Sequence, residues 1–383
     1  MFTCALTHRL CHGVWMGSLQ RYSRHLTRAS ICQAFRAFSD APPATMDLNK
    51  PTKQWDLLVS PFTKVRCHLG CNISIESLDP HAFPEADRAF ITLQTTDTNQ
   101  ALNLDRFHVH YDDQSNELKI LADDIDSDVS VELTAPIKCD LHIKTTDKGS
   151  VKIQNLESDL CHVHTEKGHC VLKSVKCHEV QVHSTGGNVT GLRTIHGNVD
   201  ISTSADSNVD IKKIQGTTMN LSTEYGHLKV KAIYAESTTV STSSGNIQIG
   251  HVHGEAFVRS ETGNIIIDSS SGALKVFTEA GNIDAYVGQD GTAELHTRQG
   301  TVNVRVPSTM KTAVQLCGSS VNISSEIACQ EKERTSSDGK TTVTAHLNGC
   351  TYEERWIKAT AENGTVSLRA QSWFETLRLG AES

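Results

Sequence analysis

At 383 residues the chain can hold one large or two ordinary domains, and its 36 basic and 44 acidic residues leave a net charge of −8. Hydrophobic residues make up 38% and aromatics only 5%, which favours a core of Val, Ile, Leu and Thr over one of bulky rings. No stretch approaches the roughly 18–20 consecutive apolar residues of a transmembrane helix, so no membrane span is expected. The acidic balance argues against nucleic acid as a partner, because binding a phosphate backbone needs basic patches.

Residues 1–38 stand apart. They hold five arginines (Arg9, Arg21, Arg24, Arg28 and Arg36) and no acid, the first carboxylate being Asp40. Ser, Thr and Leu fill the gaps and no continuous apolar run appears, the pattern of a mitochondrial presequence and not of a secretory signal. The stretch "RAFS" (residues 36–39) has an arginine three residues before a plausible cut, so maturation near Phe38 is expected, with the matrix as destination. Without that leader the chain carries 31 basic and 44 acidic residues, a net charge of −13. Of the 12 cysteines, Cys4, Cys11 and Cys32 leave with it. The remaining nine lack the spacing of a disulfide framework and are expected to act as small buried hydrophobes in a reducing compartment.

Residues 39–54 read as a linker. Residues 55–140 are rich in strand patterns, such as "AFITLQT", "LDRFHVHYDD" and "ELKILADD", and form an expected N-terminal cap with lead-in coils. From about residue 141 the chain follows a ruler. Gly149, Gly168, Gly187, Ser207, Gly226, Gly245, Gly263, Gly281 and Gly300 succeed one another at steps of 18 to 20 residues, the mark of a repeat architecture. Two and four positions after each anchor stand apolar pairs such as Val151/Ile153, Leu228/Val230, Ile247/Ile249 and Val302/Val304. Seven after come Leu156, Val175, Ile214, Ile233 and Val252, and before the anchors come pairs such as Cys161/Val163 and Leu274/Val276. The period is two, that of strands, and no helical period intervenes, which excludes a sheet with helical crossovers.

Identical positions recur as columns. Asn188, Asn208, Asn246, Asn264 and Asn282 follow their anchors, and Ser or Thr stands three before at Thr165, Ser184, Thr223, Thr242, Ser260, Thr278 and Thr297. Antiparallel hairpins would gain nothing from such columns. A single-stranded parallel β-solenoid, or β-helix, with coils of about 19 residues stacks them about 4.8 Å apart, where Asn ladders are expected to share hydrogen bonds as in cross-β stacks. The glycines are expected to supply the positive φ of a tight corner. The array is placed at 141–372, with Gly318 as the next anchor after Gly300. A polar loop is expected at 329–340, and the array resumes at "TTVTAHL" and "ENGTVSLRA". Residues 373–383 form the expected C-terminal cap, through Trp373 and Phe374.

These residues, "TEAGNIDAYV" and "SETGNIIIDSSSGALKVFT" above all, resemble the adhesin-like β-helix domain family common in bacterial proteins. That family also opens with an off-register β segment and a strand-proline element like "VELTAPIKCDLHIKT" here. The resemblance covers about residues 55–370. It implies a β-helix fold and supplies no catalytic residues.

Nucleophile-elbow, zinc-protease, C-x-x-C, phosphate-loop and dinucleotide motifs are absent. The cluster "CHVHTEKGHC…CHEVQVH" contains Cys161, His162, His164, Cys170, Cys177, His178 and His183. Strand alternation turns Cys161 and Cys170 inward and His162, His164 and His183 outward, so they cannot share one ion. His164 and His183 occupy the same position on successive coils but lack the third and fourth ligands of a zinc site. No cofactor, metal or catalytic residue is therefore assigned, and a small-molecule ligand is not expected. The sequence predicts a non-enzymatic binding or scaffold protein with a protein partner. A carbohydrate-active β-helix is the alternative, and it would need a carboxylate cluster on one face. The outward residues Phe257, Arg259, Lys275, Phe277, Glu294 and His296 are instead mixed.

Overall fold

The computed structural model describes residues 53–95, 106–122, 129–350 and 355–371. The leader expected at 1–38, most of the linker at 39–54 and the C-terminal cap at 373–383 lie outside the described residues. Chain contacts divide Met1–Asp47 from Leu48–Ser383, and all described residues belong to the second unit. It is all-β: 26 strands and no α-helix occur among the described residues.

Through the centre, strands pair in parallel with their counterparts 18 to 20 residues on. Val151 pairs with Cys170, Cys170 with Val189, Leu228 with Ile247, Ile247 with Ile265 and Ile265 with Ile283. The second strand of each layer does the same, as in Cys161 with Val180 and Ala256 with Leu274. Alternation then decides burial. Ile247, Ile249 and Val252 are sealed from solvent, as are Ile265 and Ile267 in the next layer. Each Val or Ile buried in this way contributes roughly 1.5–3 kcal/mol, and like side chains stack into one continuous core.

The anchor glycines meet two separate demands. At Gly245, Gly263 and Gly300 φ is +141°, +141° and +143°, where an L side chain is strained. Gly149, Gly168, Gly187 and Gly226 do not have positive φ, contrary to the expectation from sequence. There the reason is space: a Cβ on Gly168 would lie 1.9 Å from the Gly149 carbonyl oxygen, and one on Gly226 1.8 Å from that of Ser207.

The asparagine column also works differently from an amide stack. Each side-chain oxygen accepts from the backbone N–H one layer on. Asn208 N–H donates to Asn188 Oδ1 at 2.9 Å, Asn264 N–H to Asn246 Oδ1 at 2.9 Å and Asn282 N–H to Asn264 Oδ1 at 2.9 Å. Where asparagine is missing another acceptor stands in. Ser150 Oγ receives His169 N–H at 3.1 Å, and His169 Nδ1 and His227 Nδ1 receive the N–H groups of Asn188 and Asn246, both at 3.1 Å. What recurs in the column is an acceptor at the corner, which ties the backbone N–H of one layer to the side chain of the layer before it.

The Ser/Thr column continues the inward face and is buried throughout the array. In some layers its hydroxyl closes the corner, as Thr223 Oγ1 does by donating to Gly226 O at 3.0 Å. In others, Thr278 among them, the buried hydroxyl has no partner. Thr223→Val is expected to lower stability by about 1 kcal/mol, whereas Thr278→Val removes an unpaired polar atom and is expected to be neutral or stabilising by up to about 1 kcal/mol. Urea unfolding midpoints of the two variants, measured side by side, check that difference in sign.

Both ends depart from chain order. Strands Lys64–Leu69 and Asn72–Ser77 lie between a later pair, Glu117–Ala122 and Val129–Ala135, and a still later one, Asp140–Thr145 and Val151–Thr165. At the far end Trp356–Asn363 and Thr365–Ala370 are inserted between Thr292–Gln299/Val302–Val306 and Ala313–Gly318/Ser320–Ile323. The neighbour of Gly300 is thus Gly364, and Gly318 lies one layer further out against Gly364, not on Gly300. Residues 329–337, expected as a loop, form a strand antiparallel to Lys340–Leu347, which in turn runs antiparallel to Ala313–Gly318. The "TTVTAHL" stretch therefore belongs to a terminal hairpin and not to the parallel array. The first end closes in the same way, through antiparallel Phe107–Asp112 and Arg88–Thr95. The outer strand Cys329–Ser337 exposes nearly every residue, and its Glu331, Lys332, Glu333 and Arg334 discourage further strand addition.

Candidate functional site

Side chains that alternate outward from the second strands of the layers form one continuous face with three zones. At its first end Arg66 pairs across with His142 and His142 with His162, while His68 leads through Lys144 and His164 to His183. Hydroxyls follow at Ser202, Ser222 and Ser241. Beyond them come Arg259, Phe277 and His296.

The first zone is a shallow groove of about 510 Å³. Its imidazoles are paired: the rings of His164 and His183 stack at 5.1 Å and 17°, and those of His142 and His162 meet edge-on at 5.1 Å. His183 Nδ1 lies 2.8 Å from Ser202 Oγ, and His162 Nε2 lies 3.5 Å from Glu179 Oε1, too far for a strong hydrogen bond. Partial burial pushes the His142 pKa down, followed by the neighbouring His162 and Arg66 charges. Burial likewise lowers that of His164, followed by His183 and Lys144. Both effects favour the neutral form of the two rings. The positive charge of this zone comes from Arg66, Lys144 and Lys119, with Glu117 bonding Arg66 and also Lys119, the latter at 3.0 Å. Leu121 stands beside them, 40% exposed.

The third zone is a groove of about 460 Å³ built around Phe277. The guanidinium groups of Arg259 and Arg298 lie 5.7 and 5.9 Å from its ring centroid. Arg298 is held by Glu279 at 2.6 Å and His296 by Glu362 at 2.9 Å. Phe257, 44% exposed, completes the patch.

His162, His164 and His183 lie on this face as alternation predicts, while Cys161 and Cys170 are buried behind it. His178 and Cys177 line a different cleft, at another corner. The cluster named from sequence is thus divided among three environments. Among the described residues no group of three or more His, Cys, Asp or Glu side chains is arranged to hold a metal ion. Sequence reasoning missed Arg66, His68 and His142, because the strand carrying the first two is inserted out of chain order.

Fold and face together define an all-β repeat protein that displays ordered columns of side chains on its exterior. The Toastrack DUF4097 family matches residues 86–249 and 192–369, more than half of the chain, and the chain belongs to that family. Among solved structures it is similar to a "putative adhesin" from Parabacteroides merdae, with 15% identity, a TM-score of 0.41, and coverage of 66% of this chain and 95% of that one. It is also similar to a "putative lipid binding protein" from Parabacteroides distasonis, at 13% identity and TM-score 0.33, covering 66% and 96%. A "putative cell adhesion protein" from Clostridium sporogenes is similar over 84% of this chain and 100% of that one, at 11% identity and TM-score 0.18.

Proposed function

We propose that this chain is a non-enzymatic binding module of the mitochondrial matrix, a single-stranded parallel β-solenoid of about 19-residue coils that holds an acidic segment of a protein partner. The observation that carries the reading is the basic end of the outer face. Arg66, Lys119 and Lys144 gather beside exposed Leu121 in a chain whose net charge is −8. Local charge opposed to the charge of the whole protein steers a complementary partner to one place. The address rests on the five arginines and the absence of any acid before Asp40.

Proximity labelling with the full chain, its N-terminus intact, tests partner and address together. A small set of matrix proteins is expected to be enriched, and Arg66→Glu combined with Lys144→Glu is expected to lower that enrichment at least tenfold while the fold is retained. Recovery of proteins from another compartment would sink the address. Enrichment unchanged by charge reversal would sink the assigned face.

A further inference from the structure

Histidine is gathered on one part of the outer face. Two adjacent outward columns cross the first layers there, with about 4.8 Å between neighbouring strands. One column runs His110, Lys119, Arg66, His142 and His162. The other runs His108, Leu121, His68, Lys144, His164 and His183. Seven of the chain's 19 histidines thus stand side by side among three fixed cations. An outward strand position does not demand this residue. The same columns continue past the strip as Ser202 and Ser222, and as Gln181, Asp200 and Asn220.

The groups around these rings set the direction of their response. His164 and His183 stack at 5.1 Å, and Lys144 stands on the other side of His164. A charge on one ring opposes a charge on the other, and the ammonium opposes both. His142 meets His162 edge-on at 5.1 Å, with Arg66 across from it and Lys64 near by. Burial, and then these neighbours, hold His142 and His164 below the ordinary imidazole range. His183 Nδ1 meets the Ser202 hydroxyl at 2.8 Å, and His68 lies between Leu121 and Lys144. The acids keep to the margin. Asp140 is beside His142, Glu166 beside His164 and Asp112 beside His110. Glu179 is 3.5 Å from His162, and Asp200 pairs across from Gln181. Glu117 is taken up by Arg66 and Lys119. The centre of the strip is thus a set of protonatable rings among cations that discourage their protonation.

Resting on the acidic-segment reading of this face, we propose that the histidine strip makes docking proton-gated: a carboxylate-rich segment and protons bind together, so the face holds its partner more tightly as pH falls from 8 to 6. Carboxylates laid along the two columns offset Arg66 and Lys144 and relieve the repulsion between paired rings. They also accept hydrogen bonds from imidazolium N–H groups, and such charge-assisted bonds are roughly twice as strong as neutral ones. The rings therefore hold protons more firmly in the complex than in the free chain. The sign follows from linkage: the gain in affinity is complete below the pH at which the free rings titrate. It is lost as pH rises through the higher range of the complex. Each proton taken up with the segment changes affinity by up to about tenfold per pH unit.

The test is isothermal calorimetry of the full chain with an oligo-aspartate of about ten residues, whose carboxylates titrate near about 3.9 and so stay ionised throughout. At constant ionic strength, binding is expected to be at least about tenfold tighter at pH 6 than at pH 8. Protons are expected to be drawn from the buffer, which is read by repeating the titration in two buffers of different ionisation enthalpy. His164→Gln with His183→Gln is expected to cut the ratio below about threefold. His253→Gln, stacked on Tyr234 away from the strip, is expected to leave it unchanged. If the double variant does not fold, the proton count of the native chain and the single variant His142→Gln decide. Affinity that varies by less than about twofold between the two pH values, without proton uptake, would overturn the gate. The acidic-segment reading would survive that result if Arg66→Glu with Lys144→Glu still abolished binding. No binding at either pH would overturn both. A native-sized ratio in the folded double variant would place the protons elsewhere and remove the gate from this strip.

Discussion

Gly226→Ala is expected to destabilise the protein by more than about 3 kcal/mol, although it adds one methyl group at a corner. Gly226 does not need a left-handed backbone, so its own conformation is no obstacle to alanine. The obstacle is the neighbouring layer: the new Cβ would lie 1.8 Å from Ser207 O and 2.4 Å from Ser207 C. Backbone cannot turn aside as a flexible side chain does. Just past the corner, Leu228, Lys229 and Val230 are held in register with Val209, Asp210 and Ile211, so separating the layers there would break parallel ladder bonds. Overpacking a well-filled interior ordinarily costs 1–3 kcal/mol, and a clash with immovable backbone belongs at or beyond the upper end. Gly339→Ala is the control. Its φ is +74° but nothing lies within 4 Å of the added Cβ, so only the roughly 1–2 kcal/mol of a left-handed L-residue is expected. Denaturant unfolding of both variants separates crowding from conformation; a smaller effect at Gly226 than at Gly339 would refute the close-stacking account.

Arg305→Met should cost about 3–5 kcal/mol, and for a different reason. The Arg305 side chain is only 10% exposed and uses all three arms of its guanidinium. Nε meets Asp284 Oδ1 at 2.5 Å, Nη1 meets Gln371 Oε1 at 2.9 Å and Nη2 meets Ile267 O at 3.1 Å. Four layers are thereby tied together: its own, those of Asp284 and Ile267, and the inserted one that ends near Gln371. Methionine fills the volume but strands a carboxylate, an amide oxygen and a carbonyl, and breaking one side of such a pair is what makes it costly. Asp268 sharpens the effect. Burial already pushes its carboxyl pKa up, and Arg305 is the first charge that opposes this. Arg305→Lys is expected to recover only part of the loss, because an ammonium cannot supply the planar fork. Removing the Asp284 charge as well, in Arg305→Met with Asp284→Asn, should restore part of the stability measured by urea unfolding. An Arg305→Met variant within about 0.5 kcal/mol of the native protein would show that the cluster is not structural.

The parts of the exterior that were legible in the sequence are those inside the regular array. Alternation placed His164 and His183 outward on one column, and the rings stack there at 5.1 Å. Phe257, Arg259, Phe277 and His296 were legible as an outward mixture by the same rule. Their grouping around Phe277 was not, because cation–ring contacts depend on how long side chains lean between layers. Arg66 and His142 were not associated, since 76 residues separate them along the chain while they face each other across adjacent strands.

What the sequence determined by itself is everything that repeats: the strand period, the inward set such as Ile247, Ile249 and Val252, and the corner columns of glycine and asparagine, though not what those columns do. Those follow from local rules, since a residue and its copy one layer on face the same backbone geometry. Which layer lies next to which at the two ends was decided only by the tertiary structure. Strands 64–77 and 356–370 carry the same alternation as every other layer, so their sequence permits any parallel neighbour. Unpaired N–H and C=O groups at the open edges select among them. Insertion one layer inward pairs each of these end segments on both sides and leaves antiparallel strands such as Lys340–Leu347 to cover what remains.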